Sequence, residues 1–313
     1  MKYVTSIYEA IIPEKLQCFF ALSRTHHGVL DMMAPVFAAL VVLGRFPGPT
    51  TAIVGIVTVF AGYTCVYALN DIAGFRDDRK NIRLTARTQG GGDLDSILIR
   101  HPLAQGVIPV KPAVLWAGFW AAVAAAGSFY LNPVCLLIFL SGAALEVVYC
   151  LLLKVSFLRI LVTGFVKSAG PVAAVFAVDK TPDPALALSI FVFFFLWEAG
   201  GQNIPNDYSD MAEDRMVHAK TLPLKFGRKT TCRLIMGLLA AASLVTAMVF
   251  LLSPVSPGWF TWFAFIAGTM FLLILPALGL LKTGANRSAM KLFNRASYYP
   301  VFLLCVVLLT LFF

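Results

Sequence analysis

The sequence predicts an all-helical, polytopic membrane protein with about nine transmembrane helices. Of its 313 residues, 59% are hydrophobic and only 13% are charged. A chain of this composition, folded around one soluble core, would leave a large apolar surface in water. Windows of about twenty apolar residues, the length that crosses the hydrocarbon layer as a helix, also recur along the whole chain.

Each predicted span is an apolar window bounded by polar or turn-forming residues. The nine windows lie near 28–44, 50–70, 113–131, 133–153, 156–178, 184–204, 230–252, 257–281 and 296–313. Residues 1–27 contain no short apolar region followed by a small-residue cleavage site, so we expect no cleavable signal peptide. Residues 7–24 instead predict an amphipathic helix at the membrane interface.

The basic residues predict the orientation in the membrane. Lys and Arg concentrate in loops that stay cytoplasmic. Here they cluster after spans two, four, six and eight, whereas the opposite loops hold only Arg45 and Lys180. We therefore expect a cytoplasmic N-terminus, and the plasma membrane if the chain is prokaryotic. This topology accounts for the net charge of +9 without a nucleic-acid partner. The six cysteines are scattered singly, which favours buried or lipid-facing thiols over disulfides or zinc.

A short acidic motif occurs twice. "NDIAGFRDDR" at 70–79 and "NDYSDMAEDR" at 206–215 share Asn-Asp at their start and an acidic pair before arginine. Both copies lie at the cytoplasmic end of an even-numbered span. We therefore expect one domain, 1–313, with two pseudo-repeated halves, 1–154 and 155–313, and an inserted cytoplasmic loop at 80–100. Acidic loop residues are usually only solvated, but two copies in one register favour a shared central site.

Helical spacing places the first copy on one face. Tyr63, Tyr67, Asp71, Gly74 and Asp78 are separated by three or four residues, as one helix stripe requires. The tyrosines then lie deeper in the membrane than the carboxylates. The second copy predicts a similar stripe, which Pro205 is expected to kink; its members are Asn203, Asp207, Asp210 and Asp214.

Two acidic edges facing one cavity predict a metal site. Carboxylates repel one another unless cations lie between them, and Mg²⁺ typically combines one or two carboxylates with water and substrate phosphate oxygens. We therefore expect Mg²⁺ ions that bridge to a diphosphate. The predicted metal ligands are Asn70, Asp71, Asp78, Asp207, Asp210 and Asp214. The predicted contacts around the diphosphate are Asn70, Asp77, Arg79, Lys154, Asn206, Arg215 and Lys220.

A diphosphate above an apolar cavity predicts an isoprenoid donor whose tail lies among the helices. Loss of diphosphate from an allylic carbon leaves a carbocation, which the ring faces of Tyr63 and Tyr67 are placed to stabilise by cation–π attraction. Ordinary helix packing is the alternative role for both tyrosines. The predicted catalytic set is therefore Asp71, Asp78, Asp210, Asp214 and Tyr67.

These residues resemble the UbiA superfamily of intramembrane prenyltransferases. Asn70, Asp71 and Asp78 match its NDxxDxxxD motif, and Asp210 and Asp214 match its DxxxD motif. "HAKTLPLKFG", "HPLAQGVI" and "LSRTHH" resemble further segments of the family, so the similarity covers nearly the whole chain. The resemblance implies nine helices around a central cavity that opens laterally to lipid and is capped on the cytoplasmic side. It also implies Mg²⁺-dependent transfer from a prenyl diphosphate to a lipophilic or aromatic acceptor.

Three departures from the family pattern leave roles open. Gly74 stands where the family has the middle aspartate of its first motif, and Asp77 is a candidate replacement. His101 replaces an arginine, and the 80–100 loop is longer than usual, either a lid hinged at glycines 90 to 92 or a plain insertion. One residue too many separates Tyr149 from Lys154 for the family's YxxxK pattern.

Other polar residues and other functions remain open at this stage. Lys167 and Glu198 lie within apolar windows, where an ionisable group is a functional candidate; mutual pairing or snorkelling is the alternative. His26 and His27 either border the cavity or are structural. A UbiA-type terpene cyclase and, less favoured, a transporter or ion channel are the alternative functions. The acceptor, an aromatic acid, a quinone precursor, a macrocycle or a glycerol-phosphate lipid, is not fixed by single residues.

Overall fold

A computed structural model describes residues 14–85 and 99–312 as an all-helical assembly, with no strand among them. The helices are α1 (Glu14–Leu22), α2 (Thr25–Leu43), α3 (Pro49–Thr85), α4 (Val110–Leu131), α5 (Pro133–Leu151), α6 (Arg159–Val178), α7 (Pro184–Ser209), α8 (Met211–Met216), α9 (Leu222–Leu252), α10 (Trp259–Thr283) and α11 (Asn286–Phe312). Nine of these described helices, all except α1 and α8, are long and apolar enough to cross a membrane. The predicted fold class and span number are confirmed.

The apolar exterior fits a hydrocarbon surrounding. Leu115 on α4, Leu137 on α5 and Leu244 on α9 expose 64%, 65% and 74% of their surface. A soluble protein rarely exposes this much contiguous apolar surface, whereas lipid tails solvate it. The chain is therefore an integral, multi-pass membrane protein.

Three span boundaries differ most from the expected ones, each for a local reason. Helix α3 continues through the first motif to Thr85, because its polar continuation contains no proline. Helix α9 begins at Leu222 and is broken at Gly227, whose φ of 76° suits glycine. Helix α11 begins at Asn286, before the apolar window, because an amphipathic section precedes the apolar one. Amphipathic sequence of this kind does not form an apolar window. Residues 1–13 and 86–98 lie outside the described residues, and with them most of the 80–100 insertion and the first half of the predicted interfacial helix.

The larger of two buried apolar clusters among the described residues joins α2 to the second half of the chain. The ring of Phe37 packs edge-on against Phe193, Phe194 and Phe250, with centroids 6.1 to 6.3 Å apart. Edge-to-face contacts of this kind add to the area that aromatic rings bury. Trp197 donates its indole N–H to the carbonyl of Ala296 at 3.1 Å, so α7 is fixed against α11.

A chamber of about 480 Å³ lies among α2, α3, α5, α6 and α7. Apolar residues such as Val36, Phe139 and Ala173 form most of its wall. Most polar side chains of the wall come from α2, α3, α5, α6 and α7, and the two repeated motifs continue α3 and α7 beyond the chamber. The fold therefore brings an apolar compartment and the acidic motifs together.

A wide turn inside α7 sets the direction of the second motif. Residues Glu198–Asn203 form a π-helical turn, and α-helix resumes at Ile204–Ser209 with Pro205 in its first turn. Proline lacks an N–H and displaces the preceding turn, and a π-turn absorbs this disruption. The irregularity expected at Pro205 is thus present, one turn earlier in the chain.

Candidate active site

The first acidic cluster is built on one face of α3. Because α3 is continuous, Asp71, Gly74 and Asp78 follow one another along a single stripe. Asp71 is only 3% exposed. The imidazole Nδ1 of His101 lies 2.9 Å from Asp71 Oδ1 and 3.1 Å from Asp78 Oδ2. The cluster therefore contains two predicted carboxylates and a histidine from the segment that follows the insertion.

Asp77, next to Asp78 in sequence, lies on a different face of α3. Its carboxylate forms an ion pair with Lys154, which lies in the single turn that follows α5. Successive helix residues point about 100° apart, so the two neighbouring acids reach different partners. The structure brings together Asp77 and Lys154, both of which the sequence placed near the diphosphate, and keeps Asp77 away from Asp71.

Asn70 faces the chamber. Its amide nitrogen donates to Glu146 of α5, and its amide oxygen accepts a hydrogen bond from Arg24 Nη2 at 3.3 Å. Glu146 is 6% exposed, and Arg24 also lies with its guanidinium 5.9 Å from the ring of Tyr67. Sequence reasoning missed Glu146, whose only signal is a carboxylate inside an apolar window.

The second acidic cluster follows the π-turn. Asp207 is 8% exposed near the end of α7, Asp210 lies at the bend between α7 and α8, and Asp214 lies on α8. The Asn206 amide donates to Asp210 Oδ2 at 3.4 Å. This set matches the predicted second motif, and Asp214 Oδ2 is buried with no hydrogen-bond partner among the described residues.

Arg159 supplies positive charge beside the second cluster. It is 8% exposed, its guanidinium lies 4.0 Å from the centroid of the Tyr149 ring, and its charge acts on Asp207 and Asp214. The Tyr149 hydroxyl in turn accepts from Asn203 at 2.7 Å. From the sequence, Arg159 is only one of the basic residues on the predicted cytoplasmic side. Its position over the Tyr149 ring depends on tertiary packing, which no local pattern encodes.

The two clusters face each other across one short segment. Arg100 Nη2 lies 3.5 Å from Asp210 Oδ2, while the next residue, His101, contacts Asp71 and Asp78. Adjacent Cα atoms are only about 3.8 Å apart, so the clusters are neighbours in space. The two acidic edges predicted from the repeat therefore lie near each other, and a single shared site stays a prediction.

The electrostatics of this site favour a bound cation. Burial raises the pKa of Asp214 to about 8, together with the charges of Asp207 and Asp210, against the opposing charge of Arg159. Burial lowers the pKa of His101, but the charge of Asp78 and hydrogen bonds to Asp71 and Asp78 outweigh it and raise the pKa to about 9. At neutral pH and without a bound cation, Asp214 therefore keeps its proton, and His101 is protonated beside Asp71 and Asp78.

The remaining predicted cations are exposed side chains that end or follow the two motifs in sequence. Arg79, Arg215 and Lys220 are exposed, and the guanidinium of Arg79 lies 5.8 Å from the Phe75 ring. The backbone N–H of Lys220 donates to the carbonyl of Leu153 at 2.8 Å, next to Lys154. None of these three side chains contacts an acidic cluster among the described interactions, so their predicted contact with a diphosphate stays a prediction.

Beneath the first cluster, a polar group lies inside the chamber. Tyr67, one turn from Asp71, donates its hydroxyl hydrogen to Asp31, and Lys167 of α6 pairs with the same carboxylate. Lys167 Nζ lies 2.8 Å from the Tyr67 hydroxyl oxygen. The Tyr63 and Tyr67 rings are nearly parallel, with centroids 6.5 Å apart. Lys167 therefore pairs with Asp31, whereas the sequence offered pairing with Glu198.

Glu198 lies on the chamber wall near that pair, where its charge and those of Lys167 and Asp31 act on one another. It is 3% exposed, accepts a hydrogen bond from Thr163 at 3.1 Å through Oε1, and has no partner for Oε2 among the described residues. His27 is also buried, and its Nε2 lies 3.8 Å from Asp31 Oδ1. It lines the chamber, which is one of the two alternatives that the sequence left open for it.

Solved structures share this fold. A UbiA homologue from Aeropyrum pernix K1 has a TM-score of 0.70 at 18% identity, covering 90% of this chain and 97% of its own. A UbiA homologue from Archaeoglobus fulgidus bound to GPP and Mg²⁺ has a TM-score of 0.66 at 18% identity, covering 93% and 99%. A structure of digeranylgeranylglyceryl phosphate synthase has a TM-score of 0.65 at 18% identity, covering 96% and 98%.

Sequence similarity identifies the family. No curated protein matches this chain significantly. The profile of the UbiA prenyltransferase family matches residues 32–306, which include both acidic clusters, the segment between them and most of the chamber wall. The expected resemblance is confirmed: the chain belongs to the UbiA prenyltransferase family.

Proposed function

We propose that this chain transfers an isoprenoid group from a prenyl diphosphate to an acceptor within the membrane, in an Mg²⁺-dependent reaction. The observation that supports it best is the pair of facing acidic clusters at a chamber that is large, apolar and lined by Tyr63 and Tyr67. Family membership and the homologue bound to GPP and Mg²⁺ support the same function.

The acidic residues fit Mg²⁺ as ligands. Asp71 Oδ2 and Asp214 Oδ2 are buried oxygens, one in each cluster, and neither has a hydrogen-bond partner within residues 14–85 and 99–312. Hard oxygen donors of this kind suit Mg²⁺, which when bound neutralises charge on a leaving diphosphate. In this proposal the clusters hold the metal through the acids Asp71, Asp78, Asp207, Asp210 and Asp214, with Asn70 as a further ligand if it releases Arg24.

Cations around the clusters would bind the diphosphate oxygens. Lys154 is held near the first cluster by Asp77, and Arg100 by Asp210. Both are partly exposed, so each is able to exchange its carboxylate partner for a phosphate oxygen. Arg79, Arg215, Lys220 and Asn206 complete the proposed diphosphate contacts.

Tyr63 and Tyr67 would stabilise the carbocation. As the allylic C–O bond breaks, its electron pair leaves with the diphosphate and positive charge develops on the prenyl carbon. The Tyr67 hydroxyl is occupied by Asp31 and Lys167, which fixes the orientation of the ring. A fixed ring face attracts a desolvated cation by about 2 kcal/mol. The apolar chamber wall also keeps water away from the cation.

The chamber offers a place for the nucleophile of the acceptor. Glu198 Oε2 is a buried oxygen that receives no hydrogen bond from the described part of the chain. A hydroxyl of the prenyl acceptor would donate to it and lose its proton to it when the new bond forms. Lys167 and Asp31 neutralise each other and hold Tyr67. We place the active site on the cytoplasmic side because the basic residues favour that orientation.

Product analysis tests this proposal. The purified chain in lipid nanodiscs should release diphosphate from allylic prenyl diphosphates only with Mg²⁺, and mass spectrometry should find the prenyl group on a member of an acceptor panel. A hydrocarbon formed without acceptor would establish the cyclase alternative instead. Cation flux through proteoliposomes without diphosphate release would establish a transporter or channel and contradict the proposal.

A further inference from the structure

His101 completes a compact group of three ligand atoms. Asp71 Oδ1, Asp78 Oδ2 and His101 Nδ1 all lie within 4.8 Å of one another. The two shorter separations, from Nδ1 to the carboxylate oxygens, are 2.9 and 3.1 Å. Neighbouring ligands of an octahedral ion bound at 2.1 Å are about 3.0 Å apart. The three atoms thus have the spacing of adjacent ligands in one coordination sphere.

A buried oxygen beside the group supplies a second observation. Asp71 is 3% exposed, and its Oδ2 has no hydrogen-bond partner among the described residues. A carboxylate oxygen buried without a donor costs free energy unless a ligand satisfies it. A cation beside Asp71 removes this cost.

Gly74 leaves the α3 stripe between Asp71 and Asp78 without a side chain. A Cβ at position 74 would lie 3.0 Å from Asp78 Oδ2, so any side chain there would enter the cluster from the helix. Asp77 does not fill the gap, because it pairs with Lys154 on another face. His101 reaches the cluster from outside α3, with a φ of 52° and its carbonyl accepting from the Gln105 N–H at 3.0 Å.

We propose that His101 Nδ1 is the third protein ligand of the first metal site, in the place that a carboxylate at position 74 would take. This inference rests on the proposed function only for the presence of a metal between Asp71 and Asp78. Replacing an oxygen ligand by imidazole shifts preference away from Mg²⁺ towards Mn²⁺ and other transition ions. The site is therefore expected to accept Mn²⁺ more readily than an all-carboxylate site does.

Mn²⁺ binding tests the ligand directly, without relying on turnover. The full chain in nanodiscs is titrated with Mn²⁺, and electron spin-echo envelope modulation is recorded for the bound ion. We expect ¹⁴N modulation from a coordinated imidazole, and we expect His101→Asn to remove it and weaken Mn²⁺ binding about 10- to 100-fold. His218→Asn is the matched control, because His218 is exposed and has a similar φ of 58°; it should change neither quantity.

A second variant keeps the test valid if His101→Asn disturbs folding. Gly74→Asp combined with His101→Asn should restore metal affinity without ¹⁴N modulation, because the carboxylate then returns from α3. Unchanged Mn²⁺ affinity in a folded His101→Asn variant, or no ¹⁴N modulation in the original chain, would overturn the proposal. If the His101 result fails but Asp71→Asn still abolishes Mn²⁺ binding, the proposed function keeps its support. If ¹⁴N modulation is present but no diphosphate is released, the histidine ligand is supported and the proposed function is contradicted.

Discussion

At the residue scale, Asp77 and Asp78 show how one helical step separates two roles. Asp78 shares His101 with Asp71, whereas Asp77 forms an ion pair with Lys154. Asp78→Asn should lower the rate of diphosphate release about 100-fold or more, since it removes a charge that holds the metal. Asp77→Asn is the matched control and should cost only a few-fold. Equal losses in the measured rate of diphosphate release would contradict this assignment.

The Asp31–Lys167 pair gives a stability prediction. Asp31 is 3% exposed, so Lys167→Met leaves a buried carboxylate without its ion partner. Breaking such a pair typically costs about 3 to 5 kcal/mol, whereas replacing both charges costs less. We expect Lys167→Met to lower the thermal unfolding midpoint in detergent micelles, and Asp31→Asn in the same chain to recover part of the loss. A double variant less stable than Lys167→Met would contradict the pairing.

Glu198 gives a prediction about the acceptor. Glu198 lines the chamber and belongs to neither acidic cluster, and its Oε2 has no hydrogen-bond partner in the described part of the chain. Glu198→Gln should therefore lower prenyl transfer at least tenfold while it leaves Mg²⁺-dependent binding of the prenyl diphosphate unchanged. Thr163→Val, which removes only the donor to Oε1, serves as the control. Equal weakening of diphosphate binding would show that Glu198 acts on the donor instead.

Residue contacts divide into those the sequence pattern predicts and those it does not. The stripe of Tyr67, Asp71 and Asp78 follows from helical periodicity alone, because all three lie on one helix. The contact of His101 with that stripe depends on a turn with positive φ after the insertion. Asp31, as the partner of Lys167, depends on how α2 packs near α6, and no local pattern encodes that contact.

At the element scale, the π-turn of α7 connects the core to the second cluster. A Cβ at Gly200 would lie 2.9 Å from the Leu238 Cβ on α9, so the two helices approach closely there. Gly200→Ala should separate them, lower stability by about 1 to 3 kcal/mol and reduce activity through displacement of Asp207. Gly237→Ala on α9 has no atom within 4 Å of the added Cβ and serves as control. Thermal unfolding and turnover should distinguish the two variants.

Element boundaries follow from the sequence where the apolar pattern is continuous. The nine spans were predictable, because each contains a long apolar window. The extension of α3 to Thr85 and the start of α11 at Asn286 were not, because polar and amphipathic helix lies outside such windows. That polar extension of α3 carries Asp78, so the first cluster stands on helix rather than on a loop.

At the scale of the whole molecule, orientation decides which compartment supplies the diphosphate. The proposed topology places exposed Arg215 on the cytoplasmic side and exposed Lys180 on the opposite side. In intact cells, a membrane-impermeant maleimide should label Lys180→Cys, and it should label Arg215→Cys only after permeabilisation. The unmodified chain gives the background from its native cysteines. The reverse pattern would place the active site on the other face.

The two halves of the molecule meet at one proposed diphosphate site, and joint binding tests this most directly. Affinity for a non-hydrolysable prenyl thiodiphosphate is measured with and without Mg²⁺ in the original chain, in Asp71→Asn, in Asp210→Asn and in the double variant. Because both clusters are proposed to hold one ligand, each single variant should lose at least about tenfold and the double variant little more. Binding that does not require Mg²⁺, or a double variant whose loss in binding free energy equals the sum of the two single losses, would contradict a shared metal–diphosphate site.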